Sequence, residues 1–167
     1  MTHADNKVDW CLKKAEKEFK EEGKHRGLLK VEASKEKALA HLDKAEHYFS
    51  ATKYLKEGGF SDISASAGFY AMYHCLLAIA VKQGYQSGNQ ECTFALIKSL
   101  IEEKKIDFDI KILEKITSFE AQDKTETIVD LREQYQYGTS LSLNAHIYQE
   151  LLELSQKVIT ATKKIIL

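Results

Sequence analysis

Residues 60–85, reading FSDISASAGFYAMYHCLLAIAVKQGY, are the one segment of helical length that is apolar nearly all the way round. Between Phe69 and Val81 only His74 is strongly polar, so the stretch predicts a central helix enclosed by its neighbours rather than a surface helix with one apolar face. Ser61 is placed to accept a bond from a first-turn N–H, Asp62 sits at the positive end of the helix dipole, and Gly84 supplies the stop. Ser64, Gly68, Ala71 and Cys75 follow at steps of four, three and four, which gathers small residues on one face where another helix can come close. Glycine inside a helix costs about 1 kcal/mol against alanine, so Gly68 points to a packing requirement.

Little in the rest of the chain opposes helix. Its 167 residues include no proline, and apolar residues recur at threes and fours rather than alternating. The expected class is all-α: an antiparallel, up-and-down helical bundle of five to six helices with a short N-terminal helical extension. Residues 1–33 would form that extension and its connector and residues 34–167 the bundle, a single domain overall. With 24 Lys+Arg against 25 Asp+Glu, no clustered basic face announces nucleic acid, and nothing excludes it. Cys11, Cys75 and Cys92 are odd in number, far apart and free of CxxC spacing, which favours buried reduced thiols over a disulfide framework. The start MTHADNKVDW has no apolar signal core, and the longest near-apolar run, residues 69–81, is short for a bilayer. A cytoplasmic protein without membrane contact is expected.

Taken in order, the first helix should run from Ala4 or Asp5 to Glu22 with Val8, Leu12, Ala15 and Phe19 on one stripe. Trp10 lies off that stripe and is read as docking the helix, or as a second contact within the chain or with a partner. Leu28, Leu29 and Val31 make a short apolar connector. A second helix should span Ser34 to the Gly58-Gly59 pair, whose left-handed turn makes the second and central helices antiparallel neighbours. After the loop YQSGNQ, Asn89 is a plausible cap for a helix carrying Phe94, Ile97, Leu100 and Ile101. Residues 106–119 read as a fifth helix, AQDKTET as a turn or kink, and TIVDLREQYQY as a helical piece ended by Gly138. From Ser142 a last helix places Ile147, Leu151, Leu154, Val158, Ala161 and Ile165 at alternating steps of four and three, a seam for lengthwise packing.

Chemistry is sparse. The ExxH spacing that a di-iron bundle repeats occurs once, at Glu22 and His25 in a glycine-flanked break, and Asp43 with His47 reads as a surface ion pair. No metal and no cofactor is expected. Glycine-rich phosphate loops and GxSxG elbows are absent. Two places remain. His74, one turn after Tyr70, must find a partner or face a cavity, since an unsatisfied ring there would cost roughly 1–3 kcal/mol. It is either a core or interface histidine held by a carbonyl or a tyrosine hydroxyl, or the wall of a polar pocket. The second place is LREQYQYG, in which Arg132 and Gln136 share a helix face and Tyr137 follows. Such a face can pair a guanidinium fork with phosphate and stack bases on phenol rings. It can equally be an ordinary amphipathic helix with a salt bridge from Arg132 to Glu133 or Asp130.

Residues 42–85, with the turn EGGFSDISAS leading into AGFYAMYHCLLAIA, resemble the signature of HEPN domains, and Arg132, Gln136 and Tyr137 resemble the segment preceding that family's last long helix. The resemblance covers about residues 35–167. It implies a helical bundle that commonly forms a homodimer with the arginine segments of two subunits beside a shared cleft. It also implies kinship with metal-independent ribonucleases, often toxins, that pair with a minimal nucleotidyltransferase. In those relatives an Arg-x4-6-His motif lets histidine assist deprotonation of a ribose hydroxyl while arginine stabilises phosphate charge. Arg132 fits the first position, but the histidine positions hold Tyr137, Gly138 and Thr139, none of them a base near neutral pH.

The favoured reading is therefore a non-catalytic, dimeric HEPN-like module of a toxin–antitoxin-type system. It would bind RNA, a nucleotide or a minimal nucleotidyltransferase partner through Arg132, Gln136, Tyr137, His74 and Tyr70, and no catalytic residue is assigned. One alternative is a metal-independent endoribonuclease in which His74 or His146 substitutes from another helix. The other is a purely structural helical protein.

Overall fold

Polar side chains just ahead of each apolar run decide where most of the helices begin. The computed structural model describes residues 1–117 and 127–167. Among them are α1 (His3–Glu22), β1 (Leu28–Lys30), α2 (Lys35–Glu57), α3 (Ser61–Lys82), β2 (Tyr85–Ser87), α4 (Gln90–Glu102), α5 (Ile110–Ile116), α6 (Ile128–Tyr137) and α7 (Ala145–Ile166). Phe119 and the first six residues of AQDKTET lie outside the described residues. Thr2 with Asp5, and Thr127 with Asp130, form reciprocal capping boxes on α1 and α6. Ser34, Asn89, Asp109 and Asn144 each accept a first-turn N–H at the heads of α2, α4, α5 and α7.

The central helix departs from this rule. Its N-cap is Phe60, with no side-chain cap bond. The Ser61 hydroxyl expected to cap α3 instead accepts the Leu143 N–H at 2.8 Å and pins the segment ahead of α7 to the start of α3. In the turn before it, Gly59 at φ +85° takes the left-handed conformation, one residue later than the first of the pair. Tight reversal there lays α2 and α3 together as antiparallel neighbours, the most extensive helix pairing among the described residues.

α3 is wrapped by α2, α4, α6 and α7, and Phe69, Met72, Leu76 and Ile79 are fully buried along it. The small-residue face performs the expected close approach. A Cβ on Gly68 would fall 2.7–2.9 Å from three side-chain atoms of Leu151 on α7, and the Ser64 hydroxyl donates to the Thr52 carbonyl of α2 at 3.0 Å. The expectation of enclosure on every side needs correction. Ser66, Tyr70, Tyr73, His74 and Leu77 are only partly buried and Ile63 is exposed, a stripe on the side of α3 opposite its small residues. α3 is also long and apolar enough to cross a membrane, but 67% of its most apolar window is buried inside the bundle.

Two further expectations change. The apolar connector and the loop after α3 pair as a two-stranded antiparallel ribbon with Leu29 opposite Gln86; three-residue strands are too short for alternation to register in a sequence. Cys11 and Cys92 are joined in a disulfide across 81 residues, leaving only Cys75 as a free, buried thiol among the described residues. The bridge fastens α1 to α4. Beside it the Ser99 hydroxyl donates to Asp5 at 2.6 Å. Trp10 does not dock α1: it stands 51% exposed with the ammonium groups of Lys7 and Lys14 at 4.4 and 5.1 Å from its ring centre.

Candidate functional site

α6 is rotated into place by Leu131, its one fully buried residue, which sits in the core cluster. The next side chain, Arg132, therefore runs across α3 rather than out into solvent. Its guanidinium carbon lies 4.5 Å from the centre of the Phe69 ring, in cation–π range, and only 12% of its side chain is exposed. Asp130 offers it no ion pair, because that carboxylate accepts the N–H and O–H of Thr127 in the capping box. Glu133 approaches Nη2 no closer than 3.8 Å, beyond hydrogen-bond reach and worth little at the surface. The Arg132 Nε is buried with no hydrogen-bond partner. A buried, unanswered donor on a cation carries a penalty of at least roughly 1–3 kcal/mol, which an incoming acceptor relieves.

The remaining candidates divide between two surroundings. Gln136 lines a groove of about 330 Å³ with Asp62, Ile63 and Ser66 of α3 and Ser140 and Leu141 beyond α6. Tyr137 points outward, 79% exposed. Tyr70 and His74 belong to a half-buried cluster between α2 and α3. The His74 ring stacks on Tyr48 at 5.6 Å and 17°, Tyr48 meets Tyr70 at 5.6 Å, and His74 Nδ1 lies 3.1 Å from His41 Nδ1. One neutral imidazole donates to the other, so the partner of His74 Nδ1 is a second histidine rather than the carbonyl or tyrosine hydroxyl expected. Tyr70 also sets its ring edge-on to Phe69 at 5.3 Å. A continuous chain of rings thus runs from the Arg132 guanidinium through Phe69, Tyr70, Tyr48 and His74 to His41.

His41 and Tyr48 were missed as site residues. With Lys44 they recur at i, i+3 and i+7 on one face of α2, a helical pattern visible in the sequence once His74 needs a partner. His146 does not stand in for the missing histidine: it is exposed and paired with Glu150 at 3.4 Å. Among the described residues, the contacts of Arg132 include no imidazole.

Burial, and then the neighbouring His41 and Lys44, push the His74 pKa down from 6.5 to about 4, and burial lowers that of His41. Above pH 6.5 the ring is neutral folded or unfolded, so it adds no pH dependence. Between pH 6.5 and about 4 the unfolded chain takes up a proton that the folded one refuses, and stability falls with pH. Thermal unfolding followed by circular dichroism from pH 7 to 4.5 should therefore show a smaller acid-induced drop in midpoint for His74→Gln than for wild type. Equal drops would mean that the pair is not a source of the acid sensitivity.

The fold and the site define a helical-bundle protein with a partly buried arginine laid on a central aromatic helix. The chain belongs to the HEPN domain family, whose sequence model matches residues 38–166, from α2 to the end of α7. No curated protein matches the chain.

Proposed function

We propose that the protein is a non-catalytic, homodimeric HEPN module that binds the phosphate backbone of RNA, or a nucleotide, at Arg132. The buried Nε of Arg132 without an acceptor carries this reading. Its guanidinium lies over the Phe69 ring and, among the described residues, meets no carboxylate closer than Glu133 at 3.8 Å, while Gln136, one turn on along α6, lines a separate groove; a free guanidinium fork of this kind suits a phosphate oxygen. Tyr137, Gly138 and Thr139 stand where a catalytic histidine would be needed, which favours binding without cleavage. The dimer is supported by the partly open stripe of α3 and by Phe60, Ile63, Tyr137 and Leu141, large apolar side chains exposed around the end of α6.

Binding of a short fluorescent single-stranded RNA, measured by anisotropy at fixed low salt, tests the site. Arg132→Ala is expected to weaken binding about tenfold or more, the worth of charge-assisted bonds, and Arg132→Lys to recover only part of it, since an ammonium cannot reproduce the fork. Unchanged affinity in Arg132→Ala would remove the assignment. Cleavage in EDTA that disappears in the same variant would make the protein a ribonuclease instead. Light scattering should find a wild-type dimer and an Ile63→Glu monomer. If RNA does not bind but a minimal nucleotidyltransferase does, in an Arg132-dependent way, the surface is a protein-docking one.

A further inference from the structure

Helix α1 is held by a narrow footprint. Its buried side chains are Ala4, Val8, Cys11 and Ala15, with Leu12 partly buried against the core, so it removes a modest apolar area from water. Its two large aromatics, Trp10 and Phe19, are each 51% exposed. Polar contacts tying it to the rest of the chain include the Ser99–Asp5 bond, the Arg26 N–H donated to Glu18 at 2.6 Å and a Lys7–Glu91 contact at 3.3 Å on the surface. Under this thin cover lies the Cys11–Cys92 bridge to α4, both half-cystines fully buried. α1 and β1 also precede the segment that matches the HEPN domain, residues 38–166.

We propose that α1 is a redox-latched appendage: the Cys11–Cys92 disulfide holds it on α4, and reduction by a dithiol releases it while the bundle from α2 to α7 stays folded. In the step, one thiolate of the dithiol attacks Sγ of either cysteine and the S–S bond breaks. The other cysteine leaves as a thiolate and takes up a proton. The second thiol then displaces the first cysteine, giving the reductant's own disulfide and a second cysteine thiol. Two electrons and two protons pass to the bridge. Release would uncover the α4 face carrying Cys92, Ala95 and Ser99, spaced at three and four residues. Because both sulfurs are buried, attack requires α1 to lift briefly first, so the thinness of its apolar contact sets access. Cys75 is a built-in control. Burial pushes its thiol up to about 12, so it stays protonated and inert in the folded chain.

Hydrogen exchange of the full-length protein, with and without dithiothreitol, tests the latch, with thiols counted by alkylation and mass after denaturation. Protein purified without reductant should expose one alkylatable thiol and reduced protein three. On reduction, amides of residues 3–22 should exchange at least about tenfold faster while those of α2, α3 and α7 keep their protection. Cys92→Ser should behave as reduced protein without any reductant. Three free thiols in the protein purified without reductant would overturn the proposal. So would an α1 that stays protected once the bridge is open, or a loss of protection spread equally over α2, α3 and α7, which would make the bridge a staple of the whole fold.

Discussion

Gly68→Val is expected to lower the midpoint of thermal unfolding by about 6–12 °C, corresponding to about 3 kcal/mol in a domain of this size. The origin is steric. At Gly68 the Cβ position itself falls within 3.0 Å of three atoms of Leu151, and Leu151 is fully buried, so any added carbon has to displace it. Valine adds two methyl groups beyond that point and forces α3 and α7 apart. Alanine is the milder probe, because its gain of about 1 kcal/mol in helix propensity opposes the clash. Shortening the opposing side chain should help the valine variant: Leu151→Ala, which alone costs about 2–5 kcal/mol, is expected to be less damaging in the Gly68→Val background. Strictly additive losses in that double-mutant cycle, measured by denaturant unfolding, would show that the two side chains do not share the space.

The small-residue spacing that leads to Gly68 is legible because it depends on one helix alone. The same holds for the cap residue Asn89 and for the helix start at Ser34, whose side chains answer N–H groups three residues away. Features that need two distant segments side by side were not legible. The Cys11–Cys92 bridge exists because α1 lies along α4, and the β1–β2 ribbon because the chain returns past the same place. α3 itself was half legible. Its apolarity marks it as central, but tyrosine and histidine tolerate a wet edge and a buried body alike, so Tyr70, Tyr73 and His74 do not reveal on which side neighbours are missing. At the site, residue type singled out Arg132, whereas its burial on Phe69 follows from the packing of α6 against α3. The partner of His74 was misjudged for the same reason: His41 becomes adjacent only when α2 and α3 are superposed in register.

Phe69 joins stability and site, and two substitutions separate its roles. It is fully buried, stacks on Tyr73 at 5.8 Å and 11°, meets Tyr70 edge-on and carries the Arg132 guanidinium. Phe69→Ala should lose about 3–5 kcal/mol, the usual result of emptying a large aromatic site in a core. Phe69→Leu keeps much of the volume and should lose less than about 1.5 kcal/mol by the rule for near-conservative apolar swaps, with the broken ring contacts adding to it. Leucine, however, has no electron-rich face, so the attraction of about 0.5–2 kcal/mol that orients the guanidinium disappears. On the RNA-binding reading, Phe69→Leu should remain folded near neutral pH yet bind the single-stranded probe about 2- to 30-fold more weakly, the same energy expressed as an equilibrium constant. Arg132→Ala should then mask the change, since a platform without its cation has nothing left to orient. A Phe69→Leu protein that binds as tightly as wild type would mean that the ring only fills the core, and that Arg132 takes its position from α6 alone.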